Sequence, residues 1–142
     1  MIFKTNTPEE TKQSFEAFYR LFLSLESSGG SFVNRGTAVA LDFDQTDLTI
    51  DGKTNDLDLS SIIIGTAKAV LLRVRFRGAA DNQLILYPGD YVSGYNANRF
   101  RTQDASIYFE TMAVVPVSSG LIKYNIESTI NYAYLTVCGW WT

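Results

Sequence analysis

Hydrophobic residues recur along this chain with two different periods, and the change falls near residue 31. Before it, Phe15, Phe18, Phe22 and Leu25 are spaced three, four and three apart, which sets them on one stripe of a helix. Tyr19 and Leu21 widen the stripe. Thr7 is placed to cap this helix, Pro8 falls in its first turn, and Glu10 follows Thr7 by the three residues of a capping box. Glu9 and Glu10 sit at the positive end of the helix dipole. The run Ser27-Ser28-Gly29-Gly30-Ser31 stops the helix and supplies a flexible link.

After Phe32 the period is two. Leu72, Val74 and Phe76 alternate with Arg73, Arg75 and Arg77, the signature of a half-buried strand. Further strands are predicted over residues 39–43, 48–50, 57–64, 83–87, 106–117, 121–126 and 132–138. Asp51-Gly52 reads as a hairpin turn, and Gly78, Pro88-Gly89 and Ser118-Ser119-Gly120 as further stops. Some eight short strands with no helical pattern after residue 31 predict a mainly β fold. The expected form is an antiparallel β-sandwich, jelly-roll-like, preceded by one N-terminal α-helix. Residues 1–31 would form the helix and its link, and residues 32–142 the sandwich.

Length and charge narrow the functional classes. A chain of 142 residues is one domain in size, and 46% hydrophobic residues suffice for a core. Acidic residues outnumber basic ones 15 to 12, which argues against a nucleic-acid partner. No apolar run approaches the roughly 20 residues of a membrane helix, and no secretory signal stands at residues 1–10. The single cysteine, Cys138, cannot form an internal disulfide, so packing must hold the fold.

Chemistry is sparse. Histidine is absent, which removes the commonest general base and the usual zinc ligands together. Cys138 therefore lacks an activating base and is expected to be a buried structural thiol. No phosphate-binding glycine loop occurs. Between Asp42 and Asp58 six aspartates face one base, Lys53. Read from Asp47, they imitate a calcium loop at Asp51 and Gly52, but Thr49 and Asp58 stand where stronger ligands are needed. A solvated strand face explains them better, and neither metal nor cofactor is expected. A two-carboxylate glycosidase needs no histidine, yet nothing here singles out a pair of acids. No catalytic residue is assigned.

Two surface features remain. Arg73, Arg75 and Arg77 on one strand face repel one another unless something negative lies opposite. Either neighbouring acids partner them, or they form an interface, with residues 68–101 basic and 42–58 their electrostatic opposite. Tyr91, Tyr95, Asn96 and Asn98 combine aromatic and amide groups around a loop and suit ligand recognition, with capping of the sandwich end as the alternative.

The segments Ile62-Ile63-Ile64-Gly65, residues 69–74, residues 112–117, Gly120-Leu121-Ile122-Lys123-Tyr124 and the ending Leu135-Thr136-Val137-Cys138-Gly139-Trp140-Trp141 follow one another along the chain. In that order the chain resembles small virion structural proteins of tailed bacteriophages and prophages. The resemblance covers about residues 60–141 and leaves out the helix and the acidic stretch. It implies a β-sandwich module of a fibre, tail appendage or head decoration, working in the virion and often as a homotrimer. Its partners would be other virion proteins, with a host surface glycan as a further candidate; no catalytic motif is implied. Assembly contacts are expected at Phe15, Phe18, Phe22, Leu25, Arg73, Arg75, Arg77 and Trp141, since alternation sets Trp140 and Trp141 on opposite faces.

The helix stripe is too apolar to stay in water, and an isolated helix of this length is marginal without packing. It packs on other subunits or folds back over its own domain. On the first reading, deleting residues 1–30 leaves a soluble, folded β-domain that no longer joins its partners. An aggregating remnant in size-exclusion chromatography would assign the helix to the domain's own core.

Overall fold

Alternation in the sequence becomes eight strands: β1 (Phe32–Asn34), β2 (Thr54–Asp58), β3 (Ala69–Gly78), β4 (Gln83–Tyr87), β5 (Asn98–Arg101), β6 (Phe109–Pro116), β7 (Leu121–Ile126) and β8 (Ile130–Trp141). The computed structural model describes residues 31–38, 40–91 and 96–142. The helix expected over residues 8–28, with Phe15, Phe18, Phe22 and Leu25, lies outside the described residues, as does Tyr95.

The strands form two antiparallel four-stranded sheets that make a sandwich. One has the order β1-β8-β3-β6 and the other β2-β7-β4-β5. Strand β1 pairs with β8, β2 with β7, β3 with β6 and β4 with β5. The chain is thus a long antiparallel ribbon, turned back between β4 and β5, whose successive rungs alternate between the sheets. Between them lie Val70, Leu72, Val74 and Phe76 from β3, Leu135 from β8, Leu84 and Leu86 from β4, and Ile122 and Ile126 from β7, all without accessible surface. Each such side chain contributes roughly 1.5–3 kcal/mol through burial.

The longest ladder joins β3 to β8, and one irregularity in it decides which tryptophan is core. Leu71 lies opposite Gly139 while Leu72 lies opposite Val137, so Cys138 is an extra residue on β8. Unbroken alternation from Leu135 and Val137 would turn Trp141 inward. The bulge flips the parity: Trp140 is buried at 8% exposure, and Trp141 faces outward against the Phe32 ring, 4.8 Å between centroids. Gly139 is required here. A Cβ on it would lie 2.3 Å from Phe32 Cζ and 2.5 Å from the Val33 carbonyl oxygen. Cys138 is partly exposed rather than buried, because it continues the outward row of Tyr134 and Thr136.

Four expected strands are corrected. Residues 40–43 run beside β8 but make only a single bridge, Phe43 to Leu135. Asp42 serves in place of a backbone partner: its carboxylate accepts the Val137 amide at 2.7 Å and the Arg35 guanidinium, which also reaches the Val137 carbonyl. Residues 48–50 form no strand and Asp51-Gly52 no hairpin. The Leu48 amide returns to Asp44 O at 3.2 Å, and the Thr49 amide donates to the Tyr124 hydroxyl at 2.8 Å. Strand β2 ends at Asp58 because the amides of Ile62 and Ile63 turn back to Leu59 O, which buries Leu59 and Ile63 together. Strand β6 starts at Phe109, after Ser106 at a positive φ of 63°.

Just before β4, a polar knot ties the end of the sandwich. The backbone amide of buried Asn82 donates to the Thr102 side-chain hydroxyl, Oγ1, at 2.8 Å; its Nδ2 donates to Thr129 Oγ1 and Glu127 Oε2.

The parity flip makes the two tryptophans unequal. Trp140→Ala should cost about 3–5 kcal/mol in denaturant unfolding, the range for large core aromatics. Trp141→Ala should cost a fraction of that. Equal costs would contradict the bulge.

Candidate assembly interface

The outward-facing residues of the β1-β8-β3-β6 sheet form a continuous surface of two characters. At one end lie Phe32, Trp141, Leu71, Val114 and Met112. Phe32, Met112 and Val114 are 44%, 49% and 50% exposed, which is unusual for large apolar side chains set side by side. At the other end Arg73, Arg75 and Arg77 of β3 stand between Glu110 of β6 and Thr136, Tyr134 and Tyr132 of β8.

The arginines are held by stacking more than by charge pairing. The Arg75 guanidinium lies 3.8 Å from the centre of the Tyr108 ring and 5.8 Å from that of Tyr134. Arg77 lies 4.8 Å from Tyr108 and 4.5 Å from Tyr132. Such contacts are worth about 0.5–1 kcal/mol at exposed positions. Glu110 reaches Arg75 at 3.5 Å and Arg73 at 3.8 Å, long exposed pairs of little energy. Tyr134 holds its proton more tightly than a free phenol, chiefly through the Tyr108 hydroxyl. Stacking covers the ring faces and leaves the guanidinium edges, with their donors, directed away from the rings.

Four residues predicted for assembly, Arg73, Arg75, Arg77 and Trp141, therefore share one face. The sequence reading missed Phe32, Tyr108, Glu110, Met112, Val114, Tyr132 and Tyr134, which complete it. Tyr132 and Tyr134 carried a signal, since they alternate with Ala133 and Leu135. Their proximity to the arginines did not, because it depends on pairing between distant strands.

The basic segment divides. Arg99 and Arg101 belong to β5 in the other sheet, where Arg101 pairs with Asp81 at 2.9 Å. The acidic stretch is locally engaged. Asp44 accepts the amide and hydroxyl of Thr46, Asp51 the amide of Lys53 and the side chain of Asn55, and Asp58 the amide of Ser60. These bonds hold Asp44, Asp51 and Asp58 below the usual carboxylate range, led by the Thr46 hydroxyl, the Lys53 amide and the Ser60 hydroxyl respectively. Depressed carboxylates stabilise the fold above their unfolded pKa and lose that effect as pH falls through the lowered values. Among the described residues no group of three or more acids, cysteines or histidines could hold a metal ion.

Of the residues proposed for ligand recognition, Tyr91 stacks on Tyr87 at 4.3 Å, Asn96 is exposed, and Asn98 donates to the Val114 carbonyl of the opposite sheet. Asn98 thus closes the gap between edge strands β5 and β6. Thr102, Gln103, Asp104, Ile107, Tyr108 and Phe109 line a shallow, open depression of about 180 Å³, well under the roughly 300 Å³ of a ligand pocket. No helix among the described residues is long and apolar enough to cross a membrane.

No protein-family model and no curated protein matches the chain. Among solved structures, the coat protein of Tobacco streak virus is similar at 14% identity and a TM-score of 0.37, covering 79% of this chain and 83% of that one. A likeness so slight transfers no role.

The stacked pairs give a direct test. A double-mutant cycle with Arg75→Ala and Tyr108→Ala should show a coupling of about 0.5–1 kcal/mol in unfolding free energy. Strict additivity would mean that the stack contributes nothing.

Proposed function

We propose that this chain is a non-enzymatic virion structural protein that works by self-assembly and by attachment to other virion proteins. The observation that carries the reading is the outer face of the β1-β8-β3-β6 sheet. It is broad, and it combines exposed apolar side chains with three arginines against one carboxylate. A surface of that make-up suits burial against protein better than capture of a small molecule.

The rolled ribbon is the strand order of a jelly roll, an architecture that viral capsid proteins share with lectins and cupins. Fold alone does not choose among these, so the face carries the weight. The finer assignment is a fibre, tail-appendage or head-decoration component of a bacteriophage, a homotrimer located in the virion. It rests on the resemblance of residues 60–141. The second reading, a carbohydrate- or receptor-binding module, would use Tyr91, Tyr95, Asn96 and Asn98. It ranks lower because Tyr91 and Asn98 are committed to Tyr87 and Val114.

Light scattering on the purified full chain should give the mass of three chains at micromolar concentration. A monomer under those conditions would sink the assembly reading and favour the binding module.

A further inference from the structure

Among the described residues, the arginine row carries more guanidinium charge than its carboxylate neighbour offsets. Arg73 and Arg75 share one carboxylate, Glu110, at 3.8 and 3.5 Å, and Arg77 is in no ion pair among those of the described residues. The rings of Tyr108 and Tyr132 already carry guanidinium groups on their faces, so they offer no bare platform to a sugar. What remains is a line of planar donors spaced two strand residues apart, about 6.7 Å, a pattern that fits carboxylates at the same spacing.

This chain presents such a pair itself. In β2, the free edge strand of the second sheet, Asp56 and Asp58 are both exposed and stand two residues apart on the outward face. Exposed Asp51 lies just before them. Asp56 pairs with Lys123 yet stays 59% exposed at its side chain, and Asp58 has no basic partner among the ion pairs of the described residues. Both surfaces have alternate-residue spacing and opposite sign.

We propose that the arginine row of one copy receives Asp56 and Asp58 of a second copy, in a head-to-tail contact between the face of one sheet and the edge of the other. This deepens the self-assembly reading above and rests on it. Because the two surfaces differ, the contact is heterologous: it builds a closed ring if its rotation closes and a filament if not. Charge pairing fixes the register along the strand, and the apolar end of the same face adds contact area.

Charge exchange in the full chain tests it by light scattering, with circular dichroism to verify the β fold. Arg73→Glu with Arg75→Glu should abolish the oligomer formed by the natural sequence, and so should Asp56→Arg with Asp58→Arg. All four substitutions on one chain should restore it, since glutamates then face arginines. Arg73→Gln and Asp58→Asn are milder variants; each should weaken association at least tenfold, and they replace a charge-reversed chain that fails to fold. Raising the salt concentration should also weaken association. If either two-residue exchange, or both neutral variants, keep the natural mass and affinity, this contact is overturned while the assembly reading stands. A folded four-fold exchange that stays monomeric overturns the contact too. A monomeric natural chain overturns both.

Discussion

The ladder between β3 and β8 sets the reference for everything on the first sheet. Ten residues of β3 find partners along β8, and β6 pairs along the other edge of β3 from Ala69 to Phe76, so β3 lies between two strands over most of its length. Because a strand's side chains alternate, fixing the register at Val74 and Leu135 fixes which residues of three strands enter the core and which face outward. The arginine row, the tyrosines that support it and the apolar end of the face are all consequences of that one register. The bulge at Cys138 is the only place among these pairings where the relation is reset near the C-terminal end. It gives β8 an inward tryptophan for the core and an outward one for the surface.

The borders of this sheet, β6 on one side and on the other the part of β8 that the short β1 does not reach, are managed by unlike means. On β8, Asp42 takes a carboxylate where a neighbouring strand would put a carbonyl, and the Arg35 guanidinium is bound to it and is held above its ordinary pKa by that partner. On β6, the Asn98 side chain covers one carbonyl, and Met112 and Val114 stay open to solvent. An apolar, unbulged edge beside a cationic face is a liability in a free monomer, and it becomes an asset once other chains cover it.

Much of the sandwich was legible in the sequence because period-two alternation is a local property. Residues 72–77, 83–87, 121–126 and 132–138 announce their strands directly, and Ser119 and Gly120, both at positive φ, mark the turn before β7. Failures came where local pattern and tertiary demand part. Leu48 and Ile50 alternate like a strand, yet their segment bonds to a turn and to the Tyr124 hydroxyl. Strand β1 is too short to carry a period, and β5 hides in Asn98-Arg99-Phe100-Arg101, whose alternation is real but mostly polar. Only part of the candidate face was visible, as the arginine row and Trp141; the tyrosines were invisible as partners because no spacing within one strand reports which strands become neighbours.

The nested pairing also constrains how the chain reaches this state. Strands β4 and β5 are close in sequence, so their pairing closes a short loop, whereas β1 and β8 join opposite ends of the sandwich. Loop-closure entropy grows with separation, but each rung that forms brings the next pair together and shortens the loop left to close. Folding from the β4–β5 turn outward is therefore the least costly order, and the ring of Phe32 settles over Gly139 near its end. A fold with so many distant partners is slow to form for its size. Until that last rung is in place, Trp140 and Trp141 lack the strand that borders them, and the unfinished chain exposes its stickiest residues longest.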